Sequence, residues 1–234
     1  MAAVFLRAEW RSLLALNYRV DPAVLAPLVP RGTELDLWRG EALVSVLGFL
    51  FLRCRVLGVP IPWHRNFEEV NLRFYVRRLE GAEVRRGVVF VKEIVPRPAI
   101  ALVARLIYNE PYVARPMRHR RTAREVEYAW RAGDRWESVG AELAGEMSPL
   151  PIESEAEFIF EHYWGYTRQR DGGTLEYQVE HPRWEAAPMK AARLRCDVAS
   201  LYGSGFLEAL SAAPQSAFLA EGSEVRVRRG VRIA

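Results

Sequence analysis

The chain contains very little lysine and cysteine. Only Lys92 and Lys190 are lysines among its 33 basic residues, so a covalent mechanism through a lysine imine has just two candidates. The two cysteines, Cys54 and Cys196, lie far apart and form no Cys-x-x-Cys motif. Two cysteines without such a motif do not indicate disulfide bonds, and they predict a reducing, cytoplasmic setting.

Several functional signatures are also absent. The sequence has no Gly-rich phosphate loop and no Gly-x-Ser-x-Gly motif, so nucleotide binding and that class of hydrolase are unsupported. No pair of histidines has metal-ligand spacing, so neither a metal nor another cofactor is expected; the four are His64, His119, His162 and His181. The longest apolar run, 42–52, is too short to span a bilayer, and no membrane partner is expected.

Charge is nearly balanced. The chain has 33 basic and 29 acidic residues, a formal net charge of +4, and this balance predicts no nucleic-acid partner. One basic cluster runs from Arg115 to Arg124. It indicates either a surface for an acidic partner or a solvated face, and the sequence leaves both open.

Hydrophobic alternation predicts many strands and few helices. The predicted strands cover 10–20, 33–38, 41–55, 66–78, 87–95, 122–130, 136–143, 163–169, 175–180, 190–198 and 216–229. Strands 33–38 and 41–55 are expected to form one hairpin about Arg39-Gly40, and 216–229 to form another about Glu221-Gly222. Turn signals between the strands favour antiparallel pairing.

Four helices are predicted between these strands. One begins at Asp21-Pro22, one covers 98–108, one begins at Ser154 with a capping box, and one covers 201–210. The second helix has an apolar stripe formed by Ala99, Leu102, Val103 and Leu106. The whole pattern indicates one α+β domain, residues 1–234, built on a large sheet or a closed barrel that could hold a ligand.

The segment Phe67 to Val76 carries the clearest chemical signal. Its residues alternate strictly, so that Glu69, Asn71, Arg73 and Tyr75 share one face of a strand with Phe67. Glu69 and Arg73 would lie ~13 Å apart along that strand. A buried glutamate could transfer protons and a buried arginine could hold a carboxylate, but the same residues could form a structural hydrogen-bond network.

Several segments resemble one known family. The segments Phe67-Glu-Glu-Val-Asn-Leu-Arg-Phe-Tyr-Val76, Gly87-Val-Val-Phe90, Ala104-Arg-Leu-Ile-Tyr108 with Pro111-Tyr112, and His181-Pro-Arg-Trp184 resemble the YqjF-like family of uncharacterised proteins. The resemblance covers roughly residues 10–222. That family is similar to acetoacetate decarboxylase, which implies a conical, mostly antiparallel β-barrel with flanking helices, an internal cavity, and a homo-oligomer.

The resemblance also bears on the reaction. Acetoacetate decarboxylase has a Schiff-base lysine beside a second lysine, whereas Tyr112 and Val113 occupy the similar place here. Decarboxylation through a lysine imine is therefore not expected. By motif, Glu69 matches a glutamate of the decarboxylase cavity.

The site predicted from the sequence lies inside the barrel. Its catalytic residues are Glu69, Arg73 and Tyr112, and its ligand-binding residues are Asn71, Tyr75, Tyr108 and Lys92. The expected ligand is a small anion such as an oxo acid, and the expected chemistry is acid–base, such as enolisation, hydration or dehydration.

Alternatives remain open at this stage. The tyrosines could serve only packing, and Lys92 could form an ion pair with Glu93. The protein could also bind a small molecule without transforming it, or act as an interaction protein through the Arg115–Arg124 surface.

Overall fold

The structure is a computed structural model that describes residues 2–60, 63–107 and 109–233. Sixteen strands form in the described residues: β1 (Val4–Arg19), β2 (Glu34–Leu35), β3 (Leu43–Val56), β4 (Val59–Pro60), β5 (Phe67–Glu80), β6 (Glu83–Val95), β7 (Tyr112–Ala114), β8 (Met117–Arg121), β9 (Glu125–Ala132), β10 (Arg135–Leu143), β11 (Ser148–Pro149), β12 (Trp164–Arg168), β13 (Thr174–Glu180), β14 (Glu185–Arg195), β15 (Ser216–Arg228) and β16 (Val231–Arg232). The α-helices are α1 (Pro22–Leu25), α2 (Pro98–Ile107), α3 (Glu155–Phe160), α4 (Val198–Tyr202) and α5 (Leu207–Ser211). Within these described ranges, no helix is both long and apolar enough to cross a membrane.

Seven strands close into a barrel. Their order is β13-β12-β6-β5-β3-β1-β15, and β15 returns to pair with β13 where Val227 lies opposite Val179. All the pairs around this ring are antiparallel except that of β12 with β6. The predicted mostly antiparallel barrel is therefore confirmed, whereas the extent of the domain stays a prediction.

A second layer covers one outer side of the barrel. The strands β14, β10, β9 and β8 continue the sheet beyond β15, and their apolar residues pack on the outward residues of β1, β3 and β5. At the centre of this contact Tyr128 lies directly over Gly48, where any added Cβ would come within 2.5 Å of the tyrosine ring. The apolar core between the second layer and the barrel therefore holds the barrel strands in place.

The alternation along β5 separates the two cores. Val70, Leu72 and Phe74 point outward into the core between barrel and second layer, whereas Phe67 and Tyr75 point into the barrel interior. The polar residues of the strand share the interior face with Phe67 and Tyr75. The pattern seen in the sequence is therefore the wall of the barrel interior and not a solvated face.

The predicted hairpin of 33–38 with 41–55 is wrong. Only Glu34–Leu35 forms a strand, and it pairs with β5 rather than with β3. Arg39 and Gly40 both have positive φ and close a tight turn through a single bridge between Trp38 and Glu41. Ahead of that turn the amide of Asp36 donates to the carbonyl of Tyr75 at 3.0 Å, so the chain lies along β5 instead.

The predicted hairpin about Glu221-Gly222 is also wrong. Strand β15 continues through Gly222 and pairs with β1 on both sides of it. Gly222 has φ of 82°, and a Cβ there would lie 2.0 Å from the carbonyl oxygen of Trp10. Glycine is needed at this position for close backbone approach within a long strand, not for a chain reversal.

The helices follow their capping signals more closely. Asp21 and Ser154 cap α1 and α3, accepting hydrogen bonds from backbone amides at 2.8 and 3.1 Å. The helix predicted over 201–210 is interrupted at Gly203, whose φ is 100°. In α2 the predicted buried face is wrong, because Ala101 is buried whereas Leu102, which was predicted to belong to the apolar stripe, is 57% exposed.

Candidate active site

Glu69 lies at the centre of a polar cluster inside the barrel. It projects from β5 and is only 2% exposed. Its Oε1 accepts a hydrogen bond from the side-chain amide of Asn71 at 2.9 Å, and its Oε2 accepts one from the Tyr112 hydroxyl at 3.1 Å. The structure thus brings together three of the residues that the sequence predicted for the site.

The environment of Glu69 changes its acidity. Burial raises the pKa of Glu69 to about 7, although the hydrogen bonds from Asn71 and Tyr112 and the positive charge of Arg73 oppose this rise. A carboxyl with a pKa near 7 exists in both protonation states at neutral pH. Glu69 can therefore accept or donate a proton under ordinary conditions.

Two more buried glutamates, Glu93 and Glu110, lie close to Glu69. Glu93 is 1% exposed on β6, where it lies opposite Asn71 on one side and Tyr112 on the other. Glu110 precedes β7, and its Oε1 accepts hydrogen bonds from the hydroxyls of Thr167 and Tyr177. Neither glutamate was among the residues that the sequence predicts for the site.

The three carboxyls influence one another. Burial raises the pKa of Glu93 well above its ordinary value, and the charges of Glu110 and Glu69 raise it further. Burial also raises the pKa of Glu110 to about 7, against the hydrogen bonds from Thr167 and Tyr177. Three negative charges cannot share this buried space, so the cluster retains protons at neutral pH.

Arg73 is the cationic residue on this face of β5. Its Nη2 donates a hydrogen bond to the carbonyl oxygen of Ile159 in α3 at 2.8 Å, and its guanidinium carbon lies 5.6 Å from the ring centre of Tyr75. Its Nε is buried and has no hydrogen-bond partner among the described residues. The Nε–H group of Arg73 is therefore a hydrogen-bond donor that is available in the protein interior.

Tyr75 lies on the same face but belongs to a different hydrogen-bond network. Its hydroxyl is 2.5 Å from Oγ of Ser45, which donates to Oδ1 of Asn17 at 2.6 Å. Asn17 in turn donates to Ser216, whose hydroxyl donates to Glu155 at 2.6 Å. This chain of bonds ties the interior to α3, and it positions Tyr75 beside the cluster rather than in it.

Lys92 lies on the opposite side of the sheet from Glu69. Because of a bulge in β6, Lys92 pairs with Leu72 of β5 and Phe90 pairs with the next residue of β5, Arg73. Leu72 faces outward, so Lys92 faces outward with it. The bulge turns Glu93 inward instead. The structure therefore does not bring Lys92 to the other predicted residues, and Tyr108 lies outside the described residues.

A second polar group, which the sequence did not predict, is formed by His162, Asp36 and Arg86. His162, just after α3, lies 3.4 Å from Oδ2 of Asp36, and Nε of Arg86 donates to the same oxygen at 2.6 Å. Burial lowers the pKa of His162 to about 4, so its ring is neutral at pH 7. Burial alone would raise the pKa of Asp36, but the hydrogen bonds from His162 and Arg86 outweigh it and lower that pKa.

The basic segment Arg115–Arg124 is largely paired with acids. Arg115 lies 3.5 Å from Glu137, and further ion pairs join Arg120 to Glu125 and Arg121 to Glu221. Nδ1 of His119 lies 2.7 Å from Oε1 of Glu68. Arg118 stacks over the ring of Trp136. These contacts favour a self-neutralised surface over one that awaits an acidic partner.

The carboxyl cluster lies apart from two pockets on the protein surface. In the described part of the chain no group of three or more acidic, histidine or cysteine side chains is arranged to hold a metal ion. Two surface pockets of about 450 and 240 Å³ lie beside β14, the first lined by Tyr18, Cys196 and Pro214 and the second by Leu150, Ala186 and Phe218. We locate the candidate site by its chemistry, inside the barrel.

Comparison with known sequences identifies relatives over most of the chain. The sequence profile of the DUF2071 family, described as an uncharacterized conserved protein, matches residues 7–224. The uncharacterized protein YqjF of Bacillus subtilis (strain 168) is 30% identical over 184 residues, which cover 76% of this chain and 74% of YqjF.

Solved structures show the same fold at low sequence identity. Acetoacetate decarboxylase from Legionella pneumophila has a TM-score of 0.71 at 15% identity, with 99% of this chain and 88% of that chain covered. An acetoacetate decarboxylase-like enzyme from Sphingomonas wittichii RW1 has a TM-score of 0.70 at 13% identity, covering 99% and 94%. The enduracididine biosynthesis enzyme MppR, complexed with pyruvate, has a TM-score of 0.69 at 11% identity, covering 100% and 91%. The acetoacetate decarboxylase-like fold is therefore confirmed.

Proposed function

Since the chain belongs to the DUF2071 family of uncharacterized conserved proteins and has an acetoacetate decarboxylase-like fold, we propose that its barrel interior binds a small oxo acid and catalyses proton transfer on it. The observation that carries this proposal is the Glu69 carboxyl, which is buried, bonded to Tyr112 and Asn71, and has a pKa of about 7. A general base is most effective when its pKa lies near the working pH.

Glu69 is the proposed base. The reaction best suited to it is enolisation, in which the carboxylate removes a proton from the carbon next to a carbonyl group. The C–H electron pair becomes the C=C bond of the enol, and the carbonyl oxygen gains a proton. Tyr112 would hold Glu69 in position through its hydrogen bond to Oε2.

Arg73 is the proposed anchor for the carboxylate of the ligand. Its buried Nε has no partner among the described residues, and an oxygen of a bound carboxylate would satisfy it. Arginine suits this role because its planar guanidinium can bond a carboxylate through two parallel hydrogen bonds. The bond from Nη2 to Ile159 would fix the orientation of that guanidinium.

A lysine imine has no support in this barrel. Lys92 lies on the side of the sheet away from Glu69, and Lys190 is exposed on β14. The proposed chemistry therefore needs no covalent intermediate with the protein. Because a structural relative, MppR, is complexed with pyruvate, we choose pyruvate as the first probe for this chain.

The test measures both binding and turnover. Wild type in D2O is incubated with pyruvate, acetoacetate and related 2-oxo acids, and exchange of their acidic C–H protons is followed by NMR. Glu69→Gln should abolish exchange yet keep binding, whereas Arg73→Ala should lose binding. The matched controls are Glu68→Gln and Arg77→Ala, which lie on β5 outside the cluster.

Binding is measured by thermal shift. A ligand at a hundredfold its Kd adds about 2.7 kcal/mol, which should raise the melting midpoint by roughly 5–10 °C. Binding that needs Arg73 but brings no exchange would favour the non-catalytic binding protein. If no compound of the panel binds and none undergoes exchange, the proposal is refuted.

A further inference from the structure

Glu93 is the buried acid that the proposed mechanism does not yet use. It lies on β6 directly opposite Asn71 of β5 and Tyr112 of β7, the two residues that bond Glu69. Residues paired across neighbouring strands project to the same side of a sheet, so the carboxyl of Glu93 faces the barrel interior beside Glu69. It is 1% exposed.

One oxygen of Glu93 has no partner in the part of the chain that the structure describes. Its Oε2 is fully buried and forms no hydrogen bond there. The other buried glutamate beside the cluster differs, since Glu110 already accepts two bonds from Thr167 and Tyr177. A buried polar atom without a hydrogen-bond partner destabilises the folded protein, so a buried oxygen of this kind is well suited to accept or donate a bond to a ligand.

Among the residues that the structure describes, no cation acts on Glu93 in the way that Arg73 acts on Glu69. Lys92, its neighbour in sequence, projects to the other side of the sheet with Leu72. Burial and the charges of Glu110 and Glu69 raise the pKa of Glu93 well above its ordinary value, and only the hydrogen bond with Tyr112 opposes them. Glu93 therefore holds its proton more firmly than an ordinary glutamate does, and it lies beside a carboxyl that can act as a base.

We propose that Glu93 is a further catalytic residue, which donates a hydrogen bond and then its proton to the carbonyl oxygen of the bound oxo acid. This assignment rests on the proposed function. While Glu69 takes the proton from carbon, the carbonyl π electrons move to oxygen and that oxygen receives the proton of Glu93. The products are the enol, a neutral Glu69 and an ionised Glu93, so atoms and charge balance.

Such a division of labour has a clear physical basis. Two acids in one site can take opposite roles when their surroundings separate their proton affinities. Stabilising the developing oxyanion by a donor in a buried site is worth about 100-fold or more in rate. Tyr112 lies next to both acids and could return the proton from Glu69 to Glu93 after each turnover, since the charges of both act on its hydroxyl.

The first experiment compares Glu93→Gln and Glu93→Leu in the pyruvate exchange assay. Glutamine keeps a neutral N–H donor but cannot release a proton, whereas leucine removes both properties. We expect exchange to fall about tenfold in Glu93→Gln and about 100-fold or more in Glu93→Leu, with pyruvate binding retained in both. Glu68→Gln serves again as the folded control.

The pH profile provides a readout that a merely structural role would not change. Wild-type exchange should rise as Glu69 ionises and fall again at higher pH as Glu93 ionises. In Glu93→Gln the fall at high pH should disappear. The other titratable or charged groups facing these acids are Glu110, Tyr112, Tyr177 and Arg73, and all of them remain in the variant.

Infrared spectroscopy tests the assignment without any substrate. Wild type at neutral pH should show the carbonyl band of a protonated carboxyl group, and this band should weaken in Glu93→Gln but not in Glu68→Gln. This measurement also decides the matter should Glu93→Leu fail to fold. An unchanged band in Glu93→Gln would overturn the assignment.

The outcomes separate the two proposals. If exchange depends on Glu69 but both Glu93 variants keep the wild-type rate and pH profile, only the proposed role of Glu93 is overturned. Absence of both binding and exchange in wild type would overturn the proposed function, and the role of Glu93 with it.

Discussion

The hydroxyl of Tyr112 lies 3.1 Å from Oε2 of Glu69, although the two residues are 43 positions apart in the sequence. They meet because β7 pairs in parallel with β6, and β6 pairs in turn with β5, which carries Glu69. The contact places a phenol beside a fully buried carboxyl. Any proton transfer at Glu69 is therefore sensitive to what occupies position 112.

Removing this hydroxyl should change the acidity of Glu69. Burial raises the pKa of Glu69, and the hydrogen bond from Tyr112 opposes that rise. In Tyr112→Phe the pKa of Glu69 should therefore move above its wild-type value of about 7. NMR titration of ¹³C-labelled glutamate side chains measures this shift. Tyr163→Phe, which removes a different bond to Glu161, should leave Glu69 unchanged, and a Glu69 pKa that falls or stays constant in Tyr112→Phe would contradict the prediction.

Glu69 should also make the protein less stable as the pH rises. Below pH 4.5 its carboxyl is neutral in both folded and unfolded chains. Between pH 4.5 and about 7 the unfolded chain ionises while the folded chain keeps its proton, so the free energy of unfolding falls through this window.

Glu69→Gln removes that dependence, because glutamine stays neutral. Relative to its effect at pH 4, the substitution should stabilise the protein at pH 8 by about 3 kcal/mol, since each pKa unit corresponds to about 1.36 kcal/mol. Urea unfolding at both pH values measures the difference. Glu68→Gln is the matched control on the outward face, and equal effects of Glu69→Gln at both pH values would show that the carboxyl is not perturbed.

The interior face of β5 could be predicted from the sequence because a strand has a side-chain period of two. Glu69, Asn71 and Arg73 alternate with Val70 and Leu72, and this pattern holds without interruption. The same rule failed on β6, where a bulge moves Phe90 and Glu93 to the interior and Lys92 away from it. Bulges depend on the pairing of two strands, and one strand's sequence does not reveal them.

Contacts between distant segments could not be predicted from the sequence for a related reason. His162 meets Asp36 across 126 positions, and Glu110 meets Thr167 across 57. No local pattern marks either pair, because each depends on how the barrel closes. The barrel itself was predicted through the family resemblance, whereas β7 and β8 were missed because they are short and polar or follow prolines.

Gly222 should tolerate no side chain. Its φ of 82° and the 2.0 Å separation between a built Cβ and the Trp10 carbonyl oxygen mean that alanine must displace the backbone of β1. We expect Gly222→Ala to lower the free energy of unfolding by more than about 3 kcal/mol. Gly172→Ala is the matched control, with φ of 85° but open space around the Cβ, and should cost about 1 kcal/mol. Urea unfolding compares the two, and equal losses would show that the close approach is not important.

His162 should destabilise the protein in acid, the opposite trend to that of Glu69. Burial lowers the pKa of His162 to about 4, against the hydrogen bond with Asp36, while Arg86 and Arg73 lower it further. Above pH 6.5 the ring is neutral in both states. As the pH falls from 6.5 to about 4, the unfolded chain takes up a proton that the folded chain does not, so the free energy of unfolding falls.

His162→Phe removes this penalty while it keeps an aromatic ring against Phe158 and Tyr75. Relative to its effect at pH 7, the substitution should stabilise the protein at pH 4 by about 3 kcal/mol. Because the glutamate cluster is unchanged, the difference between variant and wild type isolates the histidine from the opposing carboxyl trend. His119→Phe, at a partly exposed position, is the control. A His162→Phe effect that is the same at pH 4 and pH 7 would contradict the prediction, because it would mean that the pKa of His162 is the same in the folded and the unfolded chain.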